Sequence, residues 1–135
     1  MRILVINCHS DNRGDEAAVH AMVDEISVAH PEVEIILAIR GAGTKYPNMP
    51  SNVKMIHQFM PISFKAKVAH RIAVLTDGKI SISLNERVLI SEISKSDIIL
   101  HAPGGPSIGD TYYSDESTYL AIYDLLIAMH KPYMF

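Results

Sequence analysis

A single cysteine, Cys8, occurs among 135 residues, which excludes an intramolecular disulfide and a cysteine-rich zinc site. It fits a reducing compartment. No apolar run approaches the roughly 18 residues that a transmembrane helix requires. A signal peptide is lacking as well, because only four apolar residues separate Arg2 from Asn7. The sequence therefore predicts a cytoplasmic protein and leaves open peripheral attachment at the inner membrane face. Basic residues are scattered and the net charge is −3, which argues against a nucleic-acid partner, whose footprint is a basic cluster. Neither Gly-x-Gly-x-x-Gly nor a P-loop Gly-Lys-Ser/Thr is present. No repeat or low-complexity segment occurs.

What is present alternates between strand and helix. Residues 2–7 form a continuous β-branched-rich run, the mark of a strand buried on both faces. Residues 15–29 predict a helix with Val19, Met22, Val23 and Ile26 on its buried stripe, stopped by Pro31. Residues 33–39 predict a second strand, ended by Gly41-Ala42-Gly43, and 53–57 a short third one. A helix over 63–75 has Ala66, Ala69 and Ala73 on one stripe, with Val68, Ile72 and Leu75 beside it. Asp77-Gly78 signals a turn. Residues 80–84 fit a short strand or a loop equally well. Asn85 is placed to cap a helix through Ser94, with Leu89 and Ile93 inward. A fourth strand over 97–101 precedes a helix over 115–130, whose buried side holds Tyr119, Ile122, Tyr123, Leu126 and Met129. Residues 131–135 read as the entry to a fifth strand, at which the chain stops, so a fragment of a longer protein is expected. The pattern predicts one α/β domain, residues 1–135, Rossmann-like or flavodoxin-like. Its parallel sheet has the order 3-2-1-4-5, with the switch point between strands 1 and 4.

Two polar loops leave those two strands, at the edge where open α/β sheets bind ligands. One runs from Asn7 to Glu16 and the other from His101 to Asp110. Gly104-Gly105 either makes a tight turn or lets backbone N–H groups meet an anion. Asp15 and Asn12 are candidate helix caps. Asp15 is equally a cleft-facing acceptor for a hydroxyl. Asp110, beside the glycine turn, can orient or deprotonate a sugar hydroxyl, or only favour the start of a helix. Arg13 can pair with a carboxylate or phosphate, or stay solvated. His9 and His101 lie just past strands 1 and 4 and can face each other, but with no third ligand they make a poor metal site. No metal and no cofactor are expected. Cys8 reads as a small buried hydrophobe, since adjacent residues on a strand point to opposite faces and His9 cannot form a direct dyad with it. Tyr112, Tyr113 and Tyr119 fit packing better than stacking on a sugar.

Taken together, these residues resemble the polysaccharide pyruvyl transferase family. The resemblance rests on Asn12-x-Gly14-Asp15-Glu16-Ala17 after the first strand and on Ser96-Asp97-Ile98-Ile99-Leu100 before Gly104-Gly105-Pro106-Ser107 and Asp110. Tyr119-Leu120 and Lys131-Pro132-Tyr133 complete it. It covers the whole chain, in register with the amino-terminal half of a family member. Pro106 stands where many relatives carry a third glycine, which removes one backbone N–H. The resemblance implies a GT-B-like two-domain enzyme of exopolysaccharide biosynthesis. Such enzymes move pyruvyl from phosphoenolpyruvate onto two hydroxyls of one sugar, giving a ketal. The implied partners are phosphoenolpyruvate, a sugar or lipid-linked saccharide acceptor, and a missing carboxy-terminal domain that carries most of the basic clamp and the general acid. A homo-oligomer is compatible with it. Asp15 and Asp110 become the catalytic candidates. Asn12, Arg13, Gly14, His101, Gly104, Gly105 and Ser107 become substrate-binding candidates. Residues 1–135 alone are then expected to be inactive. Two other readings stand beside this one. One is half of a GT-B nucleotide-sugar glycosyltransferase or epimerase. The other is a non-enzymatic flavodoxin-like binding module, although a receiver is disfavoured because strand 3 ends in His57-Gln58 rather than an aspartate.

Overall fold

Six of the seven residues of β1 (Arg2–Cys8) are buried, as a strand covered on both faces must be. The computed structural model describes residues 1–10, 13–41, 46–104 and 113–135, the last stretch without the side chains at 113–117 and 119. After β1 come α1 (Arg13–Ala29), β2 (Glu34–Ile39), β3 (Val53–His57), α2 (Phe64–Leu75), α3 (Leu84–Lys95), β4 (Ile98–His101) and α4 (Tyr113–Ala128). The four strands pair in parallel in the order β3-β2-β1-β4. This is the α/β class expected. The chain crosses from β3 over to the far side of β1 to form β4, so the switch point lies between β1 and β4. A single parallel bridge pairs Leu100 with Met134, and Met134 exchanges backbone hydrogen bonds with Ile99 and His101. Residues 80–82 form no strand, and α3 begins after Ser83 rather than at Asn85.

Side chains alternate across the sheet into two cores. Leu4, Ile6, Ile36 and Ile99 pack with Ala73 of α2, Leu89 and Ile93 of α3, and Ile122, Leu125 and Leu126 of α4. Ile3, Val5, Ile35 and Leu37 pack with Val19 and Val23 of α1, and with Tyr46. Three helices thus cover one face and one helix the other. Of the predicted stripes, Val19 and Val23 of α1 and Ile122, Tyr123 and Leu126 of α4 are buried, while Met22, Ile26 and Met129 pack against the cores half-buried. On α2 only Ala69, His70 and Ala73 are buried, while Val68 and Leu75 point outward.

β1 holds one irregularity. Val5 pairs with Leu37 but Cys8 with Ile39, so β1 carries one extra residue between them. Asn7 takes a positive φ of 61° there, a conformation asparagine tolerates better than β-branched residues. The bulge turns Cys8 onto the α1 side of the sheet, where it is fully buried.

At the amino-terminal edge of the sheet, Arg2 bridges Glu34 and Glu92 (3.2 and 2.9 Å). Lys131 Nζ donates to the Ser94 carbonyl (2.8 Å) at the end of α3. The two polar loops leave the opposite edge.

Candidate functional site at the carboxy-terminal sheet edge

β1 and β4 lie side by side, so the loops leaving them meet. The contact is between Asp15 and Gly104. Asp15 stands in the first turn of α1, where the helix dipole favours a carboxylate, and it is buried. Gly104 has a φ of 150°, and a Cβ added to it would lie 2.5 Å from Asp15 Oδ1. Only glycine permits this approach. Asp15 Oδ2 faces His9 Nε2 at 3.4 Å. One carboxylate therefore links the first loop's histidine to the second loop's glycine.

Behind this contact a buried polar chain crosses the edge. Gln58, just after β3, accepts from the Asn7 backbone N–H through Oε1 (2.7 Å) and donates from Nε2 to Asn7 Oδ1 (2.7 Å). Both residues are buried, so each pairing offsets the cost of removing polar groups from water. The double bond also fixes the positive-φ turn of Asn7. Asn7 Nδ2 donates to the Tyr123 hydroxyl of α4 at 3.4 Å. That hydroxyl is hydrogen-bonded to His101 Nδ1 at the end of β4. The Tyr123 hydroxyl can donate its own proton to His101 Nδ1 while it accepts from Asn7. With that direction the ring proton of His101 sits on Nε2, and with the reverse on Nδ1.

Electrostatics agree with a neutral His101. Burial pushes its pKa below the ordinary histidine value, and the charges of Arg40 and His9 lower it further. Burial raises the Tyr123 hydroxyl and, more strongly, the Tyr46 hydroxyl, which also feels the acids Asp15 and Glu16. Tyr46 donates to the His9 carbonyl at 2.6 Å. Burial lifts the Cys8 thiol to about 12 despite the opposing charge of Arg40, so Cys8 is no nucleophile. Arg40 follows β2, and its backbone N–H donates to the Cys8 carbonyl. Its charge is felt at Cys8, Tyr46, His101 and Tyr123 alike, which puts a cation amid the site.

A cleft of about 470 Å³ opens beside β4, lined by Ala18 and Met22 of α1, by Leu100 to Gly104, and by Phe135. His101 and Gly104 are its polar elements. Phe135 packs on the His101 ring at 5.5 Å between centroids.

The expected residues fare differently. Asp15, His9, His101 and Gly104 are brought together. Arg13 and Gly14 are exposed at the start of α1. Asn12, Gly105, Ser107 and Asp110 lie outside the described residues, as do Ala42, Gly43, Pro106, Tyr112 and the side chains of Tyr113 and Tyr119. Among the described residues no cluster of metal-ligating side chains occurs, and no helix is long and apolar enough to cross a membrane. Sequence reasoning missed Arg40, Gln58 and the polar use of Tyr123. Arg40 carries a usable signal, a cation directly after a buried strand, at the edge where ligands bind.

Comparison with known proteins returns no match among family models, curated proteins or solved structures.

Proposed function

We propose that this chain forms the acceptor-side wall of a pyruvyl transferase of the polysaccharide type. The observation that carries the proposal is the contact of Asp15 with Gly104, which joins both sequence motifs at the β1/β4 switch point. In the proposed reaction the two hydroxyls of one sugar add to the enol carbon of phosphoenolpyruvate. The methylene gains a proton and becomes methyl. Phosphate leaves with the second hydroxyl proton, and a ketal remains. His101 hydrogen-bonds an acceptor hydroxyl through Nε2. Arg40 supplies positive charge for the carboxylate or phosphate. Asp15 positions His9 and the glycine loop. Asn12, Arg13, Gly14, Gly105, Ser107 and Asp110 enter on the sequence motif alone, Asp110 as the group that orients or deprotonates a hydroxyl.

The finer architecture belongs to the same proposal. Residues 131–135 begin a fifth strand beside β4, for an order of 3-2-1-4-5. The Leu100–Met134 bridge supports this reading. The domain is then one half of a GT-B-like enzyme acting at a cytoplasmic site, with a sugar or lipid-linked saccharide as acceptor.

Amide and imidazole chemical shifts test the proposal. Titrating the chain with a methyl hexopyranoside is expected to move the signals of His101, Ala102 and Gly104, and phosphoenolpyruvate those near Arg40. A nucleotide sugar that moves them while both of these ligands leave them still would replace the proposal with the glycosyltransferase reading.

A further inference from the structure

Helix α2 is amphipathic in the reverse sense. Its inward face is made of Ala69, His70 and Ala73. Phe64, Val68 and Leu75, spaced to share one stripe of the helix, point outward and are 82%, 44% and 69% exposed. The exposed apolar series continues through Ile80, Ile82 and Leu84 into α3. Eight of the fifteen exposed large apolar residues among those described lie within residues 62–88.

The charge in this stretch is equally uneven. Residues 62–88 hold five of the 12 Lys and Arg but only two of the 15 Asp and Glu. One of the two acids, Glu86, is fully buried. Helix α2 itself carries Lys65, Lys67 and Arg71 and no acid. Asp77 follows the helix, and Asp124 of α4 shares a groove of about 210 Å³ with Lys67 and Arg71. Three of the 12 Lys and Arg, namely Lys65, Lys67 and Arg71, thus flank the outward apolar stripe of one helix that carries no acid.

We infer that the outer face of α2 and the loop leading to α3 form a docking surface for an anionic lipid bilayer. Exposed aromatic and aliphatic side chains ringed by lysine and arginine match an interface of acyl chains beneath anionic headgroups. A second copy of the chain is a poor occupant, since a two-fold contact would set these cations against each other. Nucleic acid has no use for the aliphatic residues. The inference does not depend on the proposed transferase reading.

Vesicle co-sedimentation of the chain tests it. Binding is expected to vesicles containing phosphatidylglycerol, to weaken with salt, and to be lost on pure phosphatidylcholine. Each surface cation contributes roughly fivefold to partitioning, so Lys65→Glu with Lys67→Glu and Arg71→Glu is expected to weaken it by at least about a hundredfold. Phe64→Ser with Leu75→Ser is expected to weaken it by about tenfold or more at unchanged charge. All five positions are exposed, and an unchanged melting curve verifies the fold of each variant. Absence of binding to the anionic vesicles at low salt would overturn the inference. So would wild-type binding by the Phe64→Ser, Leu75→Ser variant, or a self-associated chain that this variant makes monomeric.

Discussion

One carboxylate, Asp15, touches both loops of the candidate site, so its neighbourhood is intolerant of added atoms. Gly104→Ala inserts a Cβ that meets Asp15 Oδ1 at 2.5 Å on a backbone that disfavours it. The substitution is expected to cost about 1–3 kcal/mol, read as a lower urea midpoint at unchanged slope, and an unaltered midpoint would mean that the loops do not meet. His101 belongs to the same scale. Its folded pKa is lowered, so the unfolded chain binds the proton more readily. The stability this contributes is complete above the ordinary histidine value and is lost as pH falls through the lower folded one. Following the His101 ring by NMR is expected to give a midpoint below that of an unstructured histidine. Tyr123→Phe reads the direction of the hydrogen bond between Tyr123 and His101: the midpoint rises where the hydroxyl donates to Nδ1 and falls where it accepts from it.

At the scale of elements, three helices meet at one buried pair. His70 of α2 faces Glu86 Oε1 through Nδ1 (3.0 Å) and the Ala121 carbonyl of α4 through Nε2 (2.9 Å). Ser81 donates to Glu86 Oε2 at 2.6 Å. Glu86→Ala leaves His70 Nδ1 without its partner and is expected to destabilise by about 1–3 kcal/mol. The apolar pair His70→Phe with Glu86→Leu is expected to melt higher than Glu86→Ala alone, and an equal melting temperature would show that the orphaned ring is not what destabilises Glu86→Ala. The residue that reads as the cap of this helix is Asn85. The helix starts after Ser83 instead, which makes no side-chain cap, and Glu86 turns inward to His70. Element order, parallel pairing and the β1/β4 switch were legible, because long runs of buried residues such as Ile3 to Ile6 and Ile35 to Ile39 leave few alternatives. The Asn7 bulge was not legible, since an extra residue in a buried strand has no periodic signature. Gln58 and Tyr123 are partners only through contacts distant along the chain, which no local pattern carries. The outward side chains of α2 were half visible: the alanine stripe and the larger neighbours beside it were both legible, but the sequence alone does not say which of the two apolar stripes faces the core.

Over the whole molecule, helices are shared unequally between the two sheet faces. A helix with its side chains is about 10 Å wide, and four strands at roughly 4.8 Å spacing span considerably more. Three helices roof one face. On the other, α1 lies over the central strands, and Tyr46 and Met49 extend the cover towards Val53 of β3. Among the described residues no helix lies over the flank of β4 on that face, and it is there that the cleft between Met22 and Phe135 opens. The cleft is thus a consequence of counting rather than of carving: it is the width left over when one helix shelters a sheet too broad for it. A leftover of this kind can be filled without disturbing either core. Ala18→Trp, placed on the cleft side of α1, is expected to leave the melting temperature near its original value while abolishing the saccharide-dependent shifts at His101 and Gly104.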